Sequence, residues 1–308
     1  MNTLAKAEHF AGPPQWTWYI LFYFFLAGLS GGSYVLASLL RLGGRPEDEP
    51  AARVGFYVAF PALLICPVLL TLDLAQPLRF WHMLVNTTPG ELAPIFKYWS
   101  PMSVGAWGLV VFGIFVTVSF IDTLIRDSSR NRGRLMPHAL AKLWNVLGAI
   151  AGLFIAGYTG VLLAVSNQPI WSDTWMLGAL FLVSGLTGSA ALLSWLVHRR
   201  ADAQASLGAF QRLERFLVVL EIVVLVVFVV LLVPPGALSK AFALPWLFLW
   251  LVAFVSFIPG LVGFAATRRG VAADGTVTVR SARGVAWLSL LVLVGVLALR
   301  AAIIFSAQ

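Results

Sequence analysis

Eight long apolar runs, near residues 17–40, 54–73, 101–125, 142–165, 174–197, 215–233, 244–266 and 284–305, take up most of this 308-residue chain. A hydrocarbon core of about 30 Å needs about 20 apolar residues per helix, because lipid has no partner for an open backbone N–H or C=O. Only 11% of the residues are charged, where a soluble domain carries about 25%, so a soluble fold is excluded. The runs predict an all-α integral membrane protein, a single domain over residues 1–308 with eight transmembrane helices. The first run is too long for the apolar core of a signal peptide and follows only one basic residue, Lys6, which predicts an uncleaved span.

Charge then sets the orientation. With the N-terminus outside the cytoplasm, loops 1–2, 3–4, 5–6 and 7–8 hold sixteen Lys and Arg, among them Arg41, Arg53, Arg126, Arg200 and Arg268. The opposite side holds Lys6, Arg79, Lys97 and Lys240, and Arg300 falls inside the last run. Because basic loops stay in the cytoplasm, both termini are expected on the extracytoplasmic side. The net charge of +8 is therefore an orientation signal suited to acidic lipid headgroups, and nucleic acid is not an expected partner. The longest loop, about residues 74–99, faces outward. Between runs 7 and 8, Asp274–Arg280 reads equally as a short hairpin or as an irregular loop.

The residues that carry redox cofactors are few. Cys66 is the single cysteine and sits in the second run, so this chain alone offers neither an iron-sulfur cluster nor a disulfide. His9, His82, His138 and His198 all fall in loops or at span ends, and no pair is placed to hold a haem within the bundle. No glycine-rich phosphate loop with its lysine and no metal-ligand spacing is present. The expectation is no haem, no iron-sulfur cluster and no metal site in this chain.

Intramembrane charge is costly, about 2.5–3.5 kcal/mol at the bilayer centre on insertion scales, and marks function more often than packing. Glu221 lies about 9 Å beyond Arg215 into the sixth span. A proton-pathway role and a hydrogen bond to a neighbouring helix account for it equally well. Arg300, near the outer end of the eighth span, can snorkel, pair with Asp73 at the outer end of the second, or meet a ligand. Asp122 reads as an interfacial charge. Polar and aromatic residues gather at the outer side: Tyr19 and Tyr23 in the first span, Arg79 and His82 after the second, Tyr158 and Asn167 near the end of the fourth. An aromatic belt explains part of this. It does not explain Tyr158, about 10 Å below its helix end, where a phenol needs a partner. Gly28-Leu-Ser-Gly-Gly32 and Gly148-x-x-x-Gly152 allow close helix approach.

Four segments taken in order, Phe25-Leu-Ala-Gly-Leu-Ser-Gly-Gly-Ser-Tyr34, Asp73-Leu-Ala-Gln-Pro-Leu-Arg-Phe-Trp-His82, Ser100-Pro-Met-Ser-Val-Gly105 and Gly157-Tyr-Thr-Gly-Val-Leu-Leu163, resemble the NrfD family, the membrane anchors of polysulfide-reductase-like complexes. The resemblance covers spans 1 to 5. Where the family commonly has Asp-Leu-Gly-Arg-Pro, this chain has Gln76 before Pro77, so a role resting on that arginine does not carry over.

The resemblance implies a multi-pass subunit of the bacterial cytoplasmic membrane that binds a quinone, menaquinone or ubiquinone, near the outer face. Electrons would pass through a ferredoxin-like iron-sulfur subunit, usually linked to a molybdopterin catalytic subunit. In that reading His82 delivers protons and Asp73 orients or relays them. Tyr158 donates to a quinone carbonyl, and Arg79 or Arg300 offsets negative charge on the quinone oxygens. Tyr19, Tyr23 and Asn167 complete the expected site, with Glu221 in proton transfer. His82 reads equally as a loop residue touching a partner. Two further classes stay open: a proton- or ion-conducting subunit without quinone chemistry, favoured by Glu221 and Asp122, and a purely structural anchor.

Overall fold

A computed structural model of the protein describes residues 15–88, 90, 92–128, 135–262, 270–271, 277–278 and 282–308. Its helices are α1 (Trp18–Gly43), α2 (Glu49–Asp73), α3 (Pro101–Ser128), α4 (His138–Ala164), α5 (Leu177–His198), α6 (Leu207–Leu231), α7 (Leu238–Ala241), α8 (Trp246–Val255), α9 (Phe257–Val262) and α10 (Ala282–Ser306). Six of them, α1 to α5 and α10, are long and apolar enough to cross a membrane. The other two expected spans take different forms. The sixth run starts earlier than expected and carries Arg212, Glu214, Arg215 and Glu221 on α6. The seventh is split into two short helices, α8 and α9, at Ser256. In the loop before α10, Gly270–Val271 pairs antiparallel with Val277–Thr278, which favours the hairpin reading. Lys6, His9, Arg268 and Asp274 lie outside the described residues.

Helix α1 is the centre of the bundle. Its apolar window is 83% buried, against 22% for α3. Small residues make this possible. A Cβ on Gly31 would run into the backbone carbonyl of Gly152 on α4, so these two helices meet backbone to backbone as the glycine spacing implies. Polar side chains tie the neighbours to the same helix. Ser30 donates to the Ala59 carbonyl of α2 at 2.7 Å, Ser189 of α5 donates to the Leu29 carbonyl at 3.1 Å, and the Tyr34 hydroxyl meets Ser119 of α3 at 2.9 Å. In lipid such bonds matter because burial of apolar surface gives helices no reason to prefer one another over acyl chains.

Ion pairs close one end of the bundle. Arg41 of α1 holds Glu49 at 3.0 Å and Asp122 of α3 at 3.1 Å, and Arg126 returns to Asp122 at 2.8 Å. Asp122 also accepts the Leu135 N–H at 3.1 Å. Ser206, before α6, donates to Asp48, before α2, at 2.6 Å. Three of the loops expected to be basic and cytoplasmic, 1–2, 3–4 and 5–6, therefore share one end. At the other end Trp16 and Gln308 exchange two hydrogen bonds of 3.1 and 3.2 Å, which joins the start of α1 to the end of α10.

The α1–α4 contact gives the first test. Gly31→Val should force the two backbones apart and lower stability by about 1–3 kcal/mol, the usual cost of overpacking. Gly43→Ala, at a position with nothing within 4 Å of the added carbon, should leave stability unchanged or slightly raised. Thermal unfolding of both variants in detergent checks the contrast. Equal midpoints would remove the close contact.

Candidate functional site

A cavity of about 480 Å³ opens between α1, α2, α3 and α4 at the end of the bundle opposite the ion pairs. It exists because α2 and α3 are held apart at this end by the segment that joins them. Pro77–Met83 forms a 3-10 turn, and Val85–Asn86 pairs with Ala93–Pro94. The segment is pinned onto α3 where Trp107 Nε1 donates to the Ile95 carbonyl at 2.8 Å and Ser103 accepts the Lys97 N–H at 3.0 Å. Phe80, Met83 and Leu84 from this segment roof the mouth. Below them the walls are apolar: Leu63, Leu64 and Pro67 of α2 face Ala106, Leu109 and Val110 of α3. The groove continues down α3 from Met102 to Thr117, fifteen residues or about 22 Å of helix. Leu64 and Val110 are 59% and 38% exposed, so one side of it opens toward lipid.

Polar groups in the lining are few and lie mostly near the mouth. Asp73 ends α2, half-buried, and its Oδ1 accepts the Thr17 hydroxyl at 2.8 Å. That bond does two jobs, since Thr17 also caps α1 by accepting the Tyr19 N–H. Tyr23 is buried and Thr71 sits two residues before the end of α2; both line the cavity. Tyr158 reaches across from α4 and donates its phenol hydrogen to the Pro101 carbonyl at the start of α3. Its ring lies over Gly105, where a Cβ would collide with it, so glycine is required there for the phenol to reach the cavity. The buried phenol thus has the partner that its depth demands, and that partner is backbone. What the oxygen presents to the cavity is an accepting lone pair.

Of the residues singled out from the sequence, Asp73, Tyr23 and Tyr158 come together here. His82 and Arg79 lie exposed on the roofing segment, where the His82 ring stands edge-on to Trp81 at 4.3 Å and Nδ1 lies 3.4 Å from the Thr87 hydroxyl. Tyr19 is 44% exposed and Asn167 is exposed after α4. Arg300 is fully buried and neither snorkels nor meets Asp73. Its guanidinium donates to the Phe24 carbonyl at 3.1 Å, the Phe181 carbonyl at 2.9 Å and the Ser184 hydroxyl at 3.0 Å, and so bridges α1, α5 and α10. Glu221 is buried on α6, away from the cavity, against Thr187 of α5. Sequence reasoning missed the α3 wall. Its signal was the set Gly105, Gly108 and Gly113, which leaves one helix with small residues where a neighbour or ligand approaches.

The residues fit a flat, mostly apolar ligand with polar oxygens at one end: few polar groups at the mouth, a long apolar groove below, and a volume within the ~300–1,000 Å³ of ordinary small-molecule sites. The protein is similar to a selenate reductase subunit of Mesobacillus selenatarsenatis, 26% identical over 59% of this sequence and 47% of that protein. It is similar to a polysulfide reductase chain of Wolinella succinogenes, 25% identical over 56% of this sequence and 55% of the other. Protein NrfD of Escherichia coli is 26% identical over 74% of each. The match spans about half the length of the first two relatives. A family model described as polysulphide reductase, NrfD, matches residues 7–308. This multi-pass membrane protein belongs to the NrfD polysulphide reductase family.

Proposed function

We propose that this protein is an eight-helix membrane subunit of a multi-subunit oxidoreductase, with both termini extracytoplasmic, that holds a quinone in the α1–α4 groove and exchanges electrons with an iron-sulfur partner subunit, itself joined to a molybdopterin catalytic subunit. The observation that carries the reading is the groove itself, with Asp73 and Tyr158 near a mouth at the end of the bundle opposite the ion pairs and an apolar channel open to lipid below. Two relatives whose names make them parts of reductases support a place in a larger complex. The meeting of residues 16 and 308 supports an even number of crossings, with α6 and the α8–α9 pair supplying the two beyond the six long apolar helices. The bacterial cytoplasmic membrane follows from the same reading.

A bound quinone would supply two-electron, two-proton chemistry at the mouth of the groove. The protein's own residues do the rest. The apolar walls from Leu63 to Val110 exclude water and take the isoprenoid tail. Asp73, fixed by Thr17 and close to the aqueous outer face, accepts or returns protons. Tyr158 orients the headgroup: its oxygen accepts from a quinol hydroxyl while its hydrogen stays on Pro101, and it donates to a quinone oxygen only by releasing that carbonyl. His82 and Arg79, on the exposed roof, are placed to face a partner. The same surface shows Leu78, Leu92, Tyr98 and Trp99, at 89%, 77%, 75% and 68% exposure, an apolar face of the kind that a docked partner covers. An ion-conducting role without quinone chemistry would leave the groove unexplained.

Two measurements test this reading. Single cysteines at Thr88 and at Gln204, both exposed, should label from opposite sides of intact vesicles, Thr88 from outside; native Cys66 is buried and should stay silent. Labelling from one side would remove the orientation. For the site, Tyr158→Phe loses one hydrogen bond, about 0.5–1.5 kcal/mol, so quinone-linked turnover should fall by up to about tenfold. Asp73→Asn keeps the shape without a titrating group and should cost about 100-fold or more. Turnover with a soluble electron acceptor that bypasses the membrane should hold in both. Equal loss of the two activities would mean misassembly, and loss of neither would move the quinone elsewhere.

A further inference from the structure

We propose that α2 and the end of α5 form a binding site for one acidic phospholipid at the ion-pair end of the bundle, with the phosphate on Arg199 and Arg200 and the start of the acyl chains between the two helices. The lipid's leaflet, cytoplasmic, rests on the orientation proposed above; the site itself rests on neither that orientation nor the quinone. A cleft of about 350 Å³ lies here, lined by Val54, Tyr57, Val58, Leu196, Arg199 and Arg200. Val54, Tyr57 and Val58 share one face of α2, and Leu196, Arg199 and Arg200 repeat the same spacing across the end of α5. The cleft is the space between those two faces.

Its lining is graded along the bundle axis. Arg199 and Arg200 follow the last residue of α5, while Leu196 lies within that helix and Val58 lies nine residues into α2, about 13 Å from its start. Charge therefore sits at the aqueous end and apolar surface toward the membrane interior, the order in which a phospholipid carries its phosphate and its hydrocarbon. A free phosphate ion would use only the rim. Val58 and Leu196, both half-buried, would then stay uncovered.

The arginines at the rim differ from their neighbours in what they already hold. Arg53 is committed to Asp127 at 2.6 Å, and the Tyr57 hydroxyl donates to the other oxygen of that carboxylate at 2.7 Å. Arg41 and Arg126 are committed to Glu49 and Asp122. Arg200 has an exposed contact of 3.3 Å with Asp202 and attracts Asp127 electrostatically. The Arg199 guanidinium is exposed, stands 5.9 Å from the Trp195 ring, and has no hydrogen bond or ion pair among the described residues. An arginine fork matches two oxygens of a phosphate, so Arg199 supplies the primary contact and Arg200 the second. A lipid seated there would add to the Ser206–Asp48 bond in holding the end of α5 against α2.

The test uses the intact complex, depleted of lipid in detergent, and a phosphatidylglycerol with a photoreactive group near the start of one acyl chain. Labels mapped by mass spectrometry should fall on residues 54–58 and near Leu196. Unlabelled phosphatidylglycerol should compete at least about fivefold better than phosphatidylcholine with the same chains. Arg199→Gln with Arg200→Gln should weaken labelling at least about tenfold, at about fivefold for each charge near the surface. Arg215→Gln removes an exposed charge outside the cleft and should change it less than about twofold. Val58→Phe fills the apolar floor while keeping both arginines, and should weaken labelling as well; should the double variant fail to assemble, Val58→Phe decides. Equal competition by phosphatidylcholine, equal loss in Arg215→Gln, or labelling unchanged in Val58→Phe would overturn the site. Displacement of the lipid by millimolar inorganic phosphate would overturn it too, in favour of a simple anion site.

Discussion

A bilayer gives helices no hydrophobic reason to associate, so this bundle depends on how closely other helices can approach α1 and on the polar bonds they make to it. The run Gly28-Leu-Ser-Gly-Gly32 supplies both. Its glycines admit the α4 backbone at Gly31 and the Arg300 guanidinium at Gly28, and Ser30 reaches α2. Arg41 at one end and the Trp16–Gln308 exchange at the other hold the remaining elements in register with that central helix. Arg300 would be costly on a lone helix; surrounded by carbonyls of α1 and α5 it becomes a bridge among three helices.

The groove is the consequence of what α1 does not hold. Helix α3 is tied to α1 by side-chain hydrogen bonds at the end that carries the ion pairs, through Asp122, Ser119 and Thr123. Toward the opposite end it is held by Tyr158 and the segment that joins it to α2, and the gap between α2 and α3 stays open to lipid. Tyr158, which ties α4 to the start of α3 beside that gap, is also the residue proposed to bind at its mouth, and Gly105 leaves room for its ring. On the opposite side of α1 the bundle is tight but polar, with the carboxylates of Glu214 and Glu221 buried on α6 against Ser194 and Thr187 of α5.

Much of this was legible in the sequence because lipid imposes a simple ruler. The ends of α1, α3, α4, α5 and α10 fall within a few residues of the apolar runs, and the glycine spacing in α1 and α4 named the contact that the structure makes. The sixth run was harder, since Arg212, Glu214 and Arg215 lowered its hydropathy although they lie on the helix, and α6 therefore starts eight residues earlier than the run. The split at Ser256 had no signal that hydropathy can read. For the site, residue spacing set depth but not direction around each helix. Depth alone put Tyr19, Tyr23 and Tyr158 in one layer, yet only the latter two face inward, because which side of a helix is covered depends on neighbours far along the sequence. Arg300 shows the same limit: its partners are carbonyls of Phe24 and Phe181, and a backbone oxygen leaves no mark in a sequence.

The central claim is that the α1–α4 groove holds the quinone, and photolabelling tests it most directly. A quinone bearing a photoreactive group on its tail, irradiated in the membrane-bound complex and mapped by mass spectrometry, should attach to α2 between Phe60 and Asp73 and to α3 between Met102 and Thr117, with natural quinone competing. Labels confined to α6, α8 or α10 would contradict the account.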